Sequence, residues 1–374
     1  MELTVKASDL TTALARVVGL ADKKGTMPIL SNVLLEACGG LVKPLLKMRT
    51  TNLDISLETS VPATVEAYGT ICVPVHTLRD AVKRFKGEVQ ITLDGANLIV
   101  RSGRSRFKLV TFPAADFPQL IDIKNITNNF SLPNDHAKDL FVRPAFSASH
   151  DGSRYYINGV FLQPREKTLR AVSTDGHRLA CIDVPLPEGA AGFKGNDGAP
   201  GVIVPNNTLV EIERLVKEGG AIAVEISKSA IRLHTDNTTM VSKVVDASFP
   251  DYERVIPKDA TKVLSVSRED LADSIQRMQV IGSKTRSAIK LGVSAGTLEV
   301  SASNPDAGDA HDELDAVWGH EPIIVGFQSK YILDLLNATE TESVDLAFKS
   351  HMDPMIFRGE GDSQAMFVLM PVRV

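Results

Sequence analysis

Cysteine is nearly absent from this chain. Cys38, Cys72 and Cys181 are the only three in 374 residues, an odd number at wide spacing with no CxxC pair. That argues against a disulfide framework and a zinc site, and fits a reducing compartment. The opening Met-Glu-Leu-Thr-Val-Lys-Ala-Ser-Asp-Leu carries no basic-then-apolar leader, and no apolar run approaches the ~20 residues a membrane helix needs. A cytoplasmic protein is expected. The loops that mark common catalytic chemistry are also missing: there is no GxxxxGK[ST], no GxGxxG after a strand, no GxSxG and no HExxH. The eight histidines do not cluster with carboxylates at ligand spacing. No catalytic residue, metal or cofactor is therefore predicted. Positive charge is in deficit, with 41 Lys and Arg against 46 Asp and Glu and a formal net charge of -5. Small domains that read DNA are usually basic, because phosphate contacts drive their affinity.

What is present is ordinary globular material arranged three times over. Hydrophobic residues make up 43% and charged residues 23%, enough for a core, and the length suits two or three domains. Three segments open alike. They are Leu3-Thr-Val-Lys-Ala-Ser-Asp-Leu, Phe130-Ser-Leu-Pro-Asn-Asp-His-Ala and Leu264-Ser-Val-Ser-Arg-Glu-Asp-Leu. Each reads as an alternating strand running into an amphipathic helix, with Ser8, Asn134 and Ser267 placed to cap free amides of the first turn. Leu10, Leu14, Val17 and Val18 recur at helical spacing in the first copy, and Leu271, Ile275 and Met278 in the third.

A second landmark recurs midway, a β-branched strand ending at a breaker before another helix: Ile71-Cys-Val-Pro-Val-His, Val202-Ile-Val-Pro-Asn-Asn and Ile323-Ile-Val-Gly-Phe-Gln. Alternating strands joined by turn residues close each copy, as in Val89-Gln-Ile-Thr-Leu before Asp94-Gly95. Two copies share an ending, Ala115-Asp-Phe-Pro-Gln-Leu and Ala247-Ser-Phe-Pro-Asp-Tyr. The copies are whole α+β domains, predicted over residues 1–125, 126–253 and 254–374.

Two local stretches admit chemistry. In Ser173-Thr-Asp-Gly-His-Arg-Leu-Ala180, Asp175-Gly176 is a tight-turn signal between strands. An acid–base pair of Asp175 and His177 in a hydrolase is one reading; a hairpin that presents His177, Arg178 and Leu179 on a surface is the better one, since no nucleophile stands near. The acidic run from Ser303 to Glu313 lacks the spacing of a calcium loop and reads as a surface strand or turn.

Further stretches converge on a known family. Tyr155-Tyr-Ile-Asn-Gly159, Thr174-Asp-Gly-His-Arg-Leu179, Phe249-Pro-Asp-Tyr252 with Arg254-Val255, Arg101-Ser-Gly-Arg-Ser-Arg-Phe107 and Val368-Leu-Met-Pro-Val-Arg-Val374 together resemble the bacterial DNA sliding clamps, the beta subunits of DNA polymerase III. The likeness runs from Met1 to Val374; each motif is weak, and their order with the triple repeat is specific. The resemblance implies three clamp domains and a homodimer of head-to-tail crescents, with sheets outside and helices lining the hole. Such a ring encircles duplex DNA in the cytoplasm, at the nucleoid. It implies a processivity factor without catalysis, whose partners are the polymerase alpha subunit, the clamp loader, and other polymerases and repair proteins. These dock through short leucine- and phenylalanine-containing peptides. Enclosure removes the need for strong phosphate affinity, which reconciles the net charge.

The implied sites follow residue by residue. The partner-peptide pocket takes Ile157, Thr174, Gly176, His177, Arg178, Leu179, Pro250, Arg254 and Val255. The tail adds Val368, Leu369, Met370, Pro371, Val372 and Arg373, unless the tail is merely the last edge strand. DNA contacts are expected from Lys24, Arg79, Lys83, His150 and Arg154. Arg16, Arg84, Lys138, Arg143, Arg214, Lys217, Arg277 and Lys330 are further cations on predicted helices, each of which also reads as a solvated helix residue. The dimer contact would set Arg104, Arg106, Phe107 and Leu109 against Val280, Ile281, Asp306, Asp309 and Asp312. Two positions depart from the family. Asn206 and Asn207 stand where a basic pair is common, and Arg286 where an aromatic residue is common; the second bears on the strength of the dimer contact.

Overall fold

A computed structural model describes residues 1–21, 27–39, 43–281 and 288–373. Both landmark patterns appear as elements. The strands Glu2–Lys6 and Lys262–Ser267 run into the helices Ala7–Val17 and Arg268–Met278. The strands Gly69–Pro74, Val202–Pro205 and Ile323–Gln328 run into the helices Val75–Val82, Asn206–Glu218 and Ser329–Asn337. The first helix buries Leu10, Ala13, Leu14 and Val17, the third-copy helix Leu271, Ile275 and Met278, as the 3.6-residue period requires.

The caps divide. Ser267 caps its helix by accepting from the Asp270 amide at 3.3 Å. Ser8 does not: the helix already starts at Ala7 with Lys6 at the cap, and the Ser8 hydroxyl donates to Asp9. Asn134 is also not a preceding cap, because it is the first residue of the helical turn Asn134–Ala137. Nor does that copy build a full amphipathic helix. The turn widens over Lys138–Val142, where the Arg143 amide reaches back to the Lys138 carbonyl. It ends at Pro144, which has no N–H to donate and whose ring obstructs the preceding turn.

The strands form three sheets. Five strands lie in the order Thr64–Ala67, Glu2–Lys6, Glu88–Asp94, Asn97–Ser102, Ser105–Val110. Eight follow the order Asn128–Leu132, Ile222–Ile226, Ala230–His234, Thr238–Lys243, Ile55–Pro62, Pro44–Thr51, Asn32–Gly39, Gly69–Pro74. The third sheet begins Val202–Pro205, Gly159–Pro164, Thr168–Thr174, Arg178–Pro185 and continues Ala365–Leu369, Met355–Gly359, Ser343–Phe348, Lys262–Ser267. It ends Gly308–Val317, Thr297–Asn304, Ala288–Ser294, Ile323–Gln328. All these pairings are antiparallel.

The chain packs as two compact units. One holds Met1–Asn134, Glu188–Phe193 and Val210–Val244; the other holds Asp135–Pro187, Lys194–Leu209 and Val245–Val374. The middle copy is thus shared between them, and each unit contains one seam where strands of different copies pair. In the first, Thr238, Met240 and Ser242 face Thr59, Leu57 and Ile55. In the second, Arg178, Cys181 and Ile182 face Leu369, Met366 and Ala365. A large apolar cluster lies in the second unit, around Phe327, Phe348, Phe357 and Phe367. Among the described residues no helix is long and apolar enough to cross a membrane.

Candidate partner-binding groove and nucleic-acid face

The pocket residues gather on the second seam. Leu179 pairs with Val368, and both are buried in a small cluster with Phe161, Val172, Cys181, Ile203 and Tyr252. The segment from Ala247 to Ile256 is anchored here: the Phe249 ring stacks on Phe161 with centroids 4.8 Å apart, and the buried Tyr252 hydroxyl donates to Gln163 at 2.7 Å. Burial raises the Tyr252 hydroxyl above its ordinary range and pushes the Cys181 thiol up to about 12, so both groups stay neutral at neutral pH. With Phe249 and Tyr252 turned inward, Pro250 and Val255 stay exposed, and Arg254 extends outward with its ion pair to Asp251 at 2.7 Å. Ile157 is buried beside the glycine that starts the Gly159–Pro164 strand.

The Thr168–Thr174 and Arg178–Pro185 strands form the expected hairpin, with Gly176 in the left-handed region at φ 88°. It does not present Arg178 and Leu179 on a surface. Arg178 is 8% exposed and Leu179 2%; only His177 points outward, its ring 6.2 Å from that of Tyr331. Strand alternation accounts for Leu179, and charge pairing for Arg178. Its Nε donates to Asp175 Oδ2 at 3.1 Å, Nη1 to Asp334 Oδ2 at 2.5 Å and Nη2 to the Phe146 carbonyl at 2.7 Å. The guanidinium lies 4.5 Å from the Tyr331 ring centroid and 5.1 Å from that of Phe146. Asp175 Oδ1 meanwhile accepts from the His177 and Arg178 amides. A carboxylate committed to an arginine and two amides is a poor general base, which removes the basis for an acid–base pair with His177.

The tail continues past this seam. The Met370 amide donates to the His177 carbonyl at 2.9 Å, and the Val372 amide to the Gly326 carbonyl at 2.8 Å, along the edge strand Ile323–Gln328. Pro371, Val372 and Arg373 border an open depression of about 570 Å³ with Ile324, Gly326, His351 and Met352. Ile324 and Met352 are 65% and 69% exposed. Sequence reasoning missed these two, together with Tyr331 and Asp334. Tyr331 and Asp334 sit three apart on the Ser329–Asn337 helix, a spacing that places them on one face and was the available signal.

The expected DNA residues are distributed unevenly. Lys24 lies outside the described residues, as does Arg286. His150 is exposed and its Nδ1 lies 3.4 Å from Asn206. Arg154 is engaged within the chain, donating to Asp151 at 3.1 Å and to the Asp175 carbonyl at 2.9 Å. Arg79 pairs with its neighbour Asp80. Of the wider set, Arg16 pairs with Glu218, Lys138 with Glu340, Arg214 with Glu211 and Lys217 with Glu213. Arg143 is embedded, donating to the Ala338 carbonyl, Asp139 and Asp362 at 2.8, 3.3 and 2.7 Å. Lys83, Arg84 and Lys330 are exposed, and they form no ion pair among the described residues.

Two strand edges are open. Ser105–Val110 is the last strand of its sheet, with Phe107 39% exposed, Arg104 and Arg106 exposed and Leu109 buried. Gly308–Val317 pairs along its length with Thr297–Asn304, but on its other side only Ala316 and Val317 meet a strand. Asp306 and Asp309 stand exposed there, whereas Asp312 is engaged by Arg277. That hydrogen bond holds the Asp312 carboxyl below its ordinary range. Val280 is 82% exposed, and Ile281 is half-buried with its carbonyl accepting from Asn304.

Tandem α+β segments whose sheets run continuously from one segment into the next define the DNA-clamp class of protein. The DNA polymerase III beta subunit models match in order: the N-terminal domain over residues 1–121, the central domain over 131–251 and the C-terminal domain over 253–373. The chain is 33% identical to the beta sliding clamp of Caulobacter vibrioides and 32% identical to that of Escherichia coli, each match covering 100% of both chains. A crystal structure of the Bartonella birtlesii sliding clamp bound to griselimycin superposes with a TM-score of 0.93 at 33% identity, again over 100% of both chains. The chain belongs to the DNA polymerase III beta subunit family.

Proposed function

We propose that two copies of this chain close head to tail into a ring that encircles duplex DNA and tethers replication proteins without catalysing a reaction. The observation that carries this reading is the pair of open strand edges. One is basic, with Arg104, Arg106 and Lys108; the other is acidic, with Asp306, Asp309 and Glu313. Unpaired backbone along an edge invites a partner strand, and opposite charge sets its register. Because the two edges differ, their union is heterologous, and the ring reading requires that it close after two copies instead of running on as a filament. Phe107, Leu109, Val280 and Ile281 would supply the apolar centre. Asp312 contributes less than the other acids, since Arg277 already occupies it.

The hole would be lined by Lys83, Arg84 and Lys330, which form no ion pair among the described residues, with His150 and Lys24 as further DNA contacts. Arg79 and Arg154 would have to exchange existing partners to reach phosphate. Three domains per copy, near residues 1–125, 126–253 and 254–374, complete the ring, which works in the cytoplasm at the nucleoid.

Partners such as the polymerase alpha subunit, the clamp loader and other polymerases and repair proteins would insert leucine and phenylalanine side chains over Leu179 and Val368, between Val255 and the Met370–Pro371 tail. Exposed apolar positions beside a buried floor suit such anchors, and methionine adapts to several of them. Met352 would extend this wall. The relatives are sliding clamps, which supports the tethering role, and the Bartonella clamp's bound griselimycin shows that family member taking a ligand. Retention on DNA tests the whole reading. A ring persists on circular duplex and is lost from linear duplex; equal retention on both would refute enclosure.

A further inference from the structure

Arg178 falls within the family's pocket motif, yet its geometry leaves it nothing with which to hold a ligand. Its side chain is 8% exposed, and its donors are committed to Asp175, Asp334 and the Phe146 carbonyl. Its planar faces are covered by Tyr331 and Phe146. The backbone around it is what borders the groove. Arg178 pairs with Leu369, the His177 carbonyl accepts from Met370, and Thr174 Oγ1 accepts from Gly176 while donating to the Arg178 carbonyl. Arg178 thus locks a three-residue turn to the tail from beneath.

Of its three acceptors, Asp175 belongs to the turn itself and Phe146 offers only a backbone carbonyl. Asp334 is the one side chain that ties the guanidinium to another element, the Ser329–Asn337 helix. From that helix Tyr331 covers the guanidinium's face while Asp334 takes its edge, one helical turn apart.

We propose that Asp334 is a positioning residue of the groove: through Arg178 it fixes the Asp175–His177 turn against the tail and so sets how tightly a leucine- and phenylalanine-bearing peptide is held. The proposal rests on the groove reading above. With the Asp334 charge gone, a buried guanidinium loses its outside counter-ion. The arginine can then recover solvation by swinging towards the groove, and the turn it pinned loosens. A peptide must then re-order that turn on binding, which weakens affinity without removing any direct contact.

The probe is a fluorescein-labelled decapeptide carrying a Leu-Phe pair, titrated into the full chain, with amide hydrogen exchange read in parallel. Asp334→Asn should weaken the probe's Kd about tenfold, the usual scale for one charge-assisted hydrogen bond. The same variant should speed exchange at Gly176 and His177 while the amides of the Ala365–Leu369 strand stay protected. Asp334→Glu, which restores the carboxylate, should recover most of the affinity, and Tyr331→Phe, which keeps the ring stack, should bind like the unaltered chain. A merely structural aspartate would instead lose protection across the whole seam, with no recovery in Asp334→Glu, and that pattern would overturn the proposal. Unchanged affinity in Asp334→Asn would overturn it alone. If the unaltered chain ignores the probe, the groove reading fails and takes this proposal with it.

Discussion

The two seams that join copies of the repeat use the same backbone device and both bury apolar residues, Ile55, Leu57 and Met240 at the first, but they differ in their polar side chains. Where Thr238–Lys243 meets Ile55–Pro62, the buried positions include Thr59, Ser56, Thr238 and Ser242, and hydroxyls bond to one another and to carbonyls. Thr59 donates to the Asn237 carbonyl at 3.0 Å, and Thr238 to Thr59 at 3.3 Å. Where Arg178–Pro185 meets Ala365–Leu369, the neighbours are Leu179, Ile182, Phe367 and Val368, and polarity is confined to two embedded arginines, Arg178 and Arg143. A hydroxyl seam is held by many small contacts. An apolar seam with arginine ties is held by a few large ones, and it is the second that borders the candidate partner groove.

The contrast is broken or sharpened by four substitutions. Phe367→Ala should have the largest effect, about 3–5 kcal/mol, because a fully buried ring packed on Phe357 and Phe146 leaves a cavity. Urea unfolding that shows less than ~1 kcal/mol would mean the second seam is not apolar in its energetics. Arg143→Met should cost about 3 kcal/mol by the same measurement, since Asp362 and the half-buried Asp139 lose their counter-ion.

Asp362→Asn should cost less, and its cost should depend on pH. Burial pushes the Asp362 carboxyl up, but Arg143 and the Ala365 and Gln364 amides outweigh that and hold it below its ordinary value. Its ionised form therefore stabilises the fold above the unfolded value near 3.8, and that stabilisation disappears as pH falls through the folded value. The gap between Asp362→Asn and the unaltered chain should narrow from pH 7 to pH 3; a constant gap contradicts the assignment. Thr238→Val at the first seam should be the mildest, ~1 kcal/mol, for a single hydroxyl contact. A loss rivalling Phe367→Ala would erase the distinction between the seams.

Much of this was legible in the sequence. Period-two and period-3.6 patterns located the strands and helices because burial on one face imposes those periods, and Asp175-Gly176 located its turn because only glycine takes φ 88° without strain. The middle opening helix was misread. Its opening matched those of its counterparts, but Pro144 lies just far enough along to cut it to a widened turn. Arg178 was misplaced for a different reason. Strand alternation predicts where a side chain points, not whether a carboxylate 156 residues away will meet it, and Asp334 supplies that partner. The same limit hid the pairing of Arg143 with Asp362, since an ion pair between distant segments leaves no local pattern. The tail was legible as motif and as strand alike, and it acts as both: Ala365–Leu369 is a strand in the sheet, and Met370 to Arg373 leave it.

The hydrogen bond from Val372 to Gly326 carries a practical warning. By pairing with Gly326 on the outermost strand of its sheet, the tail covers backbone beside Ile324, which is itself exposed. Clipping the chain before Pro371 would therefore open a strand edge next to that isoleucine, and the shortened protein should self-associate through it. Clumped material from such a preparation would say nothing about whether the groove still works.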